Sequence, residues 1–244
     1  MNTVELHCHT IFSNNRGRFE CLTTPRALLR MAQRRGLSAV AITDHNTMAG
    51  NQEASKIANE YGVVVIPAVE LDTNCKGQIL AFGVKQMIEI HRSPIEMIAD
   101  IHKQGGVTII PHPFDPVRGM PNIDEVMKHA DGIEVMNYGS VNNRKAKRWA
   151  ERRGIRVQTG GSDAHNVRLV GTVQMQFPEN VRTVAEYLSA LKQGRIRILP
   201  TRRHQTALVM GGINILYTRV MRWVPKRLYK EEVRVAWQSV KAQG

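Results

Sequence analysis

The chain has 244 residues, 42% hydrophobic and 23% charged, ordinary globular usage that excludes collagenous, low-complexity and wholly disordered classes and suits one domain with an appendage. Its 34 Lys and Arg against 21 Asp and Glu leave a formal net charge of +13, the balance expected of a protein that meets phosphates or anionic membranes. No apolar run is long enough to span a membrane, MNTVELHCHT lacks the layout of a signal peptide, and Cys8, Cys21 and Cys75 show no CxxC spacing. A cytoplasmic protein without a disulfide framework is therefore expected.

In chain order, short β-branched runs predict strands over 4–9, 39–43, 63–67, 79–83, 107–110, 132–136 and 156–159. Helical patterns fall between them over 25–35, 48–60, 94–104, 123–129 and 142–153, several opened by proline. Alternation of this kind implies a parallel α/β sheet, closed or open. After Leu199 the composition changes: residues 200–244 hold nine basic and two acidic side chains, which divides the chain into a barrel-like part over 1–199 and a basic helical extension over 200–244. In that extension Ile213, Leu216, Val220 and Trp223 recur at helical spacing with basic residues between them, and Pro225 divides two helices. Such a stripe packs on the barrel or on a second subunit, making a homo-oligomer; a cationic amphipathic helix can also lie on RNA or an anionic membrane.

The expected strand ends gather one kind of chemistry. His7 and His9 close the first, Asp44 and His45 the second, Glu70 follows the third, His112 the fifth, and Asp163 and His165 the seventh. Side chains alternate along a strand, so His7 and His9 share a face while Cys8 points away. In a closed α/β barrel the carboxyl ends of the strands form the functional face, and imidazoles with carboxylates are what borderline divalent ions take as ligands. His102 lies near a helix carboxyl end, where it suits the dipole, and is a further ligand candidate; His91, His129 and His204 read as surface residues.

ELHCHT over 5–10, ITDHNT over 42–47, IIPHPFD over 109–115 and GGSDAH over 160–165, with Glu70 between the second and third, resemble the four motifs of the PHP (polymerase and histidinol phosphatase) superfamily of metal-dependent phosphoesterases. The resemblance spans about residues 3–177. It implies a distorted (β/α)7 barrel holding two or three Zn, Mn or Fe ions. On the family pattern His7, His9, Glu70 and Asp163 hold one metal, Glu70 bridges to a second on His112, and His45 and His165 hold a third. Asp44 accepts from an imidazole N–H. Asn14 stands where relatives carry an aspartate or histidine ligand of the third metal, and is a weaker, neutral one. Gln78 replaces a histidine at the second, which leaves His102 or water to complete that site.

The implied reaction is hydrolysis of a phosphomonoester, or of a nucleotide or oligonucleotide phosphate ester, by a metal-bound hydroxide. Asp163 or His165 passes a proton to the leaving group, and Arg118, Arg144 and Arg168, in loops on the metal face, are candidates to bind the phosphate. Two alternatives stand beside it: a histidinol-phosphatase-type small-molecule phosphatase, and a non-catalytic metal-binding module whose basic tail binds RNA or membrane.

Overall fold

A computed structural model describes residues 1–13 and 20–199. Asn14 and the expected helical extension over 200–244 lie outside the described residues. Among the described residues there are nine strands: β1 (Asn2–Cys8), β2 (Ala39–Ile42), β3 (Val64–Asp72), β4 (Gln78–Phe82), β5 (Val107–Ile110), β6 (Gly132–Asn137), β7 (Val157–Gly161), β8 (Met175–Phe177) and β9 (Arg197–Ile198). Six helices accompany them: α1 (Pro25–Arg34), α2 (Ala49–Ile57), α3 (Pro94–Lys103), α4 (Ile123–Val126), α5 (Asn143–Arg152) and α6 (Val184–Lys192).

The strands form one sheet in the order β7-β6-β5-β4-β3-β2-β1-β8-β9. Beyond β7 the chain returns to β1: the Asp163 N–H donates to the His7 carbonyl at 2.8 Å and the His9 N–H to the Ala164 carbonyl at 3.0 Å. The sheet is therefore a nearly closed barrel in an α/β fold. It is not uniformly parallel as expected, because β4 runs antiparallel to both β3 and β5. Only residues 73–77 separate β3 from β4, too few for the crossover that parallel neighbours need. β8, β9 and α6 are additions to the expected elements; strands of three and two residues leave almost no periodic signal.

Local chemistry accounts for the helices. Thr24 Oγ1 accepts from the Ala27 N–H ahead of Pro25, and α1 buries Leu28, Leu29 and Ala32 on one face. Thr183 and Glu186 cap α6 reciprocally. α6 packs Tyr187, Ala190 and Leu191 into a core cluster with Leu6, Ala41, Ile66 and Phe82, and the Tyr187 hydroxyl donates to Asn2 Oδ1 at 2.8 Å. It thus covers the end of the barrel where β1 begins. The metal-capable side chains collect at the other end.

Candidate metal centre

Two groups of four side chains bring ligand atoms within 4.8 Å of one another: His7, His9, Glu70 and Asp163, and His9, Glu20, His45 and His165. They share His9. All are buried except half-buried Glu20. Glu70 lies within β3, extended beyond the expected strand end, where its carbonyl accepts from the Asn46 N–H. Its Oε2 faces His7 Nε2 and His9 Nε2, each at 3.3 Å, and its Oε1 faces His112 Nε2 at 3.1 Å. His112 and Asp163 hold left-handed backbone, with φ of 28° and 49°, a conformation rare outside glycine and concentrated at functional sites.

Neighbouring polar groups set which ring nitrogen faces inward. Glu134 of β6 accepts from His7 Nδ1 at 3.0 Å, while its other oxygen accepts from the His112 and Asn137 donors, each at 2.9 Å. His7 Nε2 is then left facing the oxygens of Glu70 and Asp163, 3.3 and 3.4 Å away. Ser13 Oγ donates to Glu20 at 2.7 Å and receives the His45 N–H at 3.0 Å. It lies 3.3 Å from His9 Nδ1, so that ring donates to Ser13 and presents Nε2 to Asp163 at 3.1 Å. Imidazole nitrogens this close to carboxylate oxygens need a proton or a metal cation between them. Buried His112 Nδ1 and Gln78 Oε1 have no hydrogen-bond partner among the described residues. This donor set fits borderline divalent ions, which take imidazole nitrogen and carboxylate oxygen together.

Electrostatics divides the rings. Burial, with His165 and His45 alongside, pushes His9 down to about 3, so that it is neutral. Burial also works against charge on His7, but Glu134, Asp163 and Glu70 outweigh it and hold the ring well above its usual value. Burial likewise opposes charge on His165, yet Glu20 and Asp163 bring it up to about 9. Glu70 and Asp163 lie well below the usual carboxylate range despite burial, the first through His45 and His7, the second through Arg118 and His7.

Some expected roles move. Among the described residues no imidazole nitrogen pairs with Asp44; its oxygens accept from the Thr10 N–H at 2.5 Å and the Thr10 hydroxyl at 2.6 Å, pinning the loop after β1, while Glu134 orients the imidazole of His7. Gln78 donates to His45 Nδ1 at 3.2 Å and Asp72 at 2.8 Å. His102 pairs with Asp131 at 2.8 Å, at the opposite end of β5 and β6 from His112, and cannot complete a site there. Arg118 reaches the cluster, its guanidinium donating to Asp163 Oδ2 at 3.2 Å with 31% of the side chain exposed. Arg144 and Arg168 are exposed and make no ion pair with its carboxylates. Cys8 and Cys21 donate away from the cluster, to the Ala41 and His9 carbonyls.

Glu20, Glu134 and Ser13 join the site without being among the residues expected there. An acid inside the apolar run GIEVMN was a legible sign of Glu134, since buried carboxylates need partners. Glu20 had no such sign, because no fixed spacing ties it to the strand ends.

A family model described as PHP-associated matches residues 141–196. An uncharacterised protein of Methanocaldococcus jannaschii, MJ1587, is 36% identical over 149 residues, covering 57% of this chain and 86% of the relative. A 5'-3' exoribonuclease of Haemophilus influenzae is 35% identical over 74 residues, 30% of this chain and 25% of that protein. Among solved structures, a two-domain Bacteroides vulgatus protein containing a predicted PHP-like metal-dependent phosphoesterase superposes with a TM-score of 0.66 at 18% identity, over 81% of this chain and 64% of that one. The four motifs assembled at one end of a nearly closed barrel, with the PHP-associated match over residues 141–196, support the PHP superfamily for this chain.

Proposed function

We propose that this chain is a divalent-metal-dependent phosphoesterase that hydrolyses a phosphomonoester or the terminal phosphate ester of a nucleotide or oligonucleotide. One observation carries the reading: two buried groups of imidazoles and carboxylates share His9, with ring nitrogens aimed at carboxylate oxygens. His7, His9, Glu70 and Asp163 would hold one ion, and Glu20, His45 and His165 a second beside His9. His112 with Glu70 is the candidate for a third. Zinc, manganese or iron suits these donors. When bound, such ions supply Lewis acidity toward phosphoryl oxygens and acidify a coordinated water.

The chain's own residues do the rest. Arg118, braced on Asp163 and partly exposed, is placed to bind a phosphoryl oxygen. Asp163, ionised beside Arg118, would serve as a ligand and not as a proton donor, and with His165 also given to an ion the leaving alkoxide would take its proton from water. Glu134 and Ser13 hold His7 and His9 in the tautomers that leave Nε2 free. The likeness to the exoribonuclease over 74 residues supports a nucleic-acid end over histidinol phosphate.

Elemental analysis of the purified protein beside a screen of aryl phosphates, nucleotides and oligonucleotides tests this. Metal-dependent phosphate or nucleotide release, lost in His7→Ala together with bound metal, is the expected result. No release from any substrate, with metal content unchanged in His7→Ala, overturns it. The basic segment 200–244 is a separate appendage in this reading. Truncation after Leu199 is expected to give insoluble protein if that segment packs on the barrel or a second copy.

A further inference from the structure

The excess charge of residues 1–199 is concentrated along the sequence. Residues 144–156 carry seven basic side chains and the single acid Glu151, whereas the other residues of 1–199 carry equal numbers of bases and acids. The whole excess of the barrel thus sits on α5 and the turn after it. α5 turns Ala146 and Ala150 inward. At 100° per residue Arg144, Arg148 and Arg152 then fall on the opposite, outer face, with Lys145 beside them, each about 6 Å further along the axis than the one before. All four are exposed. Some basic residues elsewhere meet acids, as Arg26 meets Glu60, Arg92 meets Asp100 and Lys128 meets Glu125, and others stand singly; α5 differs in aligning its own on one face. Among the described residues none of Arg144, Lys145, Arg148 and Arg152 has a carboxylate within 4.0 Å, and Lys147 has Glu151 only at 3.9 Å.

The ladder begins at the mouth of the metal centre. Asn143, the first residue of α5, accepts from the Asn137 N–H at 2.8 Å and donates back to its carbonyl at 2.7 Å. The Asn137 amide in turn donates to Glu134 at 2.9 Å and reaches Asp163 at 3.4 Å. Asn142 ties the same corner to the Phe114 carbonyl at 2.6 Å, in the loop that carries Arg118. The helix therefore starts two hydrogen bonds from Asp163, amino end toward the site, and carries a row of unpaired cations away from it. The outer face has no apolar residue with which to enter a membrane. The Phe114 and Trp149 rings are covered by Lys145 and Arg153, so neither ring is open to stack a base.

We propose that the outer face of α5, through Arg144, Arg148 and Arg152, is a track for the backbone of single-stranded nucleic acid whose end enters the metal centre. This rests on the phosphoesterase reading for what happens at that end, but the track is testable without turnover. Binding of a labelled short single-stranded oligonucleotide to the full chain in the presence of chelator would be followed by fluorescence anisotropy across salt concentrations. Loss of two phosphate contacts lowers the slope of log K against log salt by about 1.4. Arg148→Ala/Arg152→Ala is expected to show that drop with at least a fivefold weaker Kd, and Arg148→Lys/Arg152→Lys to recover most of the slope, both with unchanged circular dichroism. Unchanged affinity and slope in the alanine variant overturns the track, as does tighter binding of wild type to anionic vesicles or polyglutamate than to the oligonucleotide. Slope loss without any hydrolytic activity leaves the track standing and sinks the phosphoesterase reading alone.

Discussion

Glu134, in the middle of β6, accepts the Nδ1 proton of His7 at 3.0 Å, joining two elements more than a hundred residues apart. It leaves His7 Nε2 as the atom facing Glu70 and Asp163. A carboxylate behind a ligating imidazole fixes its tautomer and raises its basicity.

Glu134→Gln is accordingly expected to weaken metal binding about 10–100-fold while the protein remains folded. Competition against a chromogenic chelator measures it. An unchanged dissociation constant would show that His7 is oriented by something else.

Glu20 and Asp163 belong to different groups of four, so their loss should be separable. Glu20→Gln is expected to remove one ion per chain in elemental analysis and to spare the ion on His7 and Glu70. Asp163→Asn should empty the latter. Asn14→Ala, if Glu20 supplies the carboxylate, leaves the stoichiometry as it is.

Chelation should lower thermal stability. Each ion at a hundred times its dissociation constant adds about 2.7 kcal/mol to a native state that alone binds it, equivalent to about 5–10 °C per ion for a domain of this size. Differential scanning calorimetry with and without EDTA reads the shift. A melting temperature that does not move would mean that the cluster is as stable without cations as with them.

Asn51 of α2 is a separate structural point. Its buried amide donates to the Ile42 and Ala68 carbonyls at 2.8 and 2.6 Å and accepts from the Ala68 N–H at 3.3 Å, holding β2 and β3 in register beneath His45 and Glu70. Asn51→Leu strands these backbone groups and should cost about 2–4 kcal/mol in urea unfolding.

Much of the frame was legible in the chain. β1 to β7 follow the runs of β-branched residues, and α1, α3 and α5 lie within one residue of their expected ends. His7, His9, His45, His112, Asp163 and His165 stand at or beside strand ends because the limit of each β-branched run is visible in the chain. What the alternation of strand and helix does not carry is pairing direction, and β4 turned antiparallel because a five-residue link left no other path.

By itself, then, the sequence determined the class of fold, the family motifs and the pool of imidazoles and carboxylates at one end of the barrel. Those are local properties, set by periodicity and by which side chains stand at strand termini. Only the tertiary structure decided that Glu20 joins His9, His45 and His165, that Glu134 rather than Asp44 stands behind an imidazole, and that the barrel's excess charge forms a row leading from the site. Each depends on which distant segments closure of the sheet brings within a hydrogen bond of one another, and spacing along the chain does not encode that.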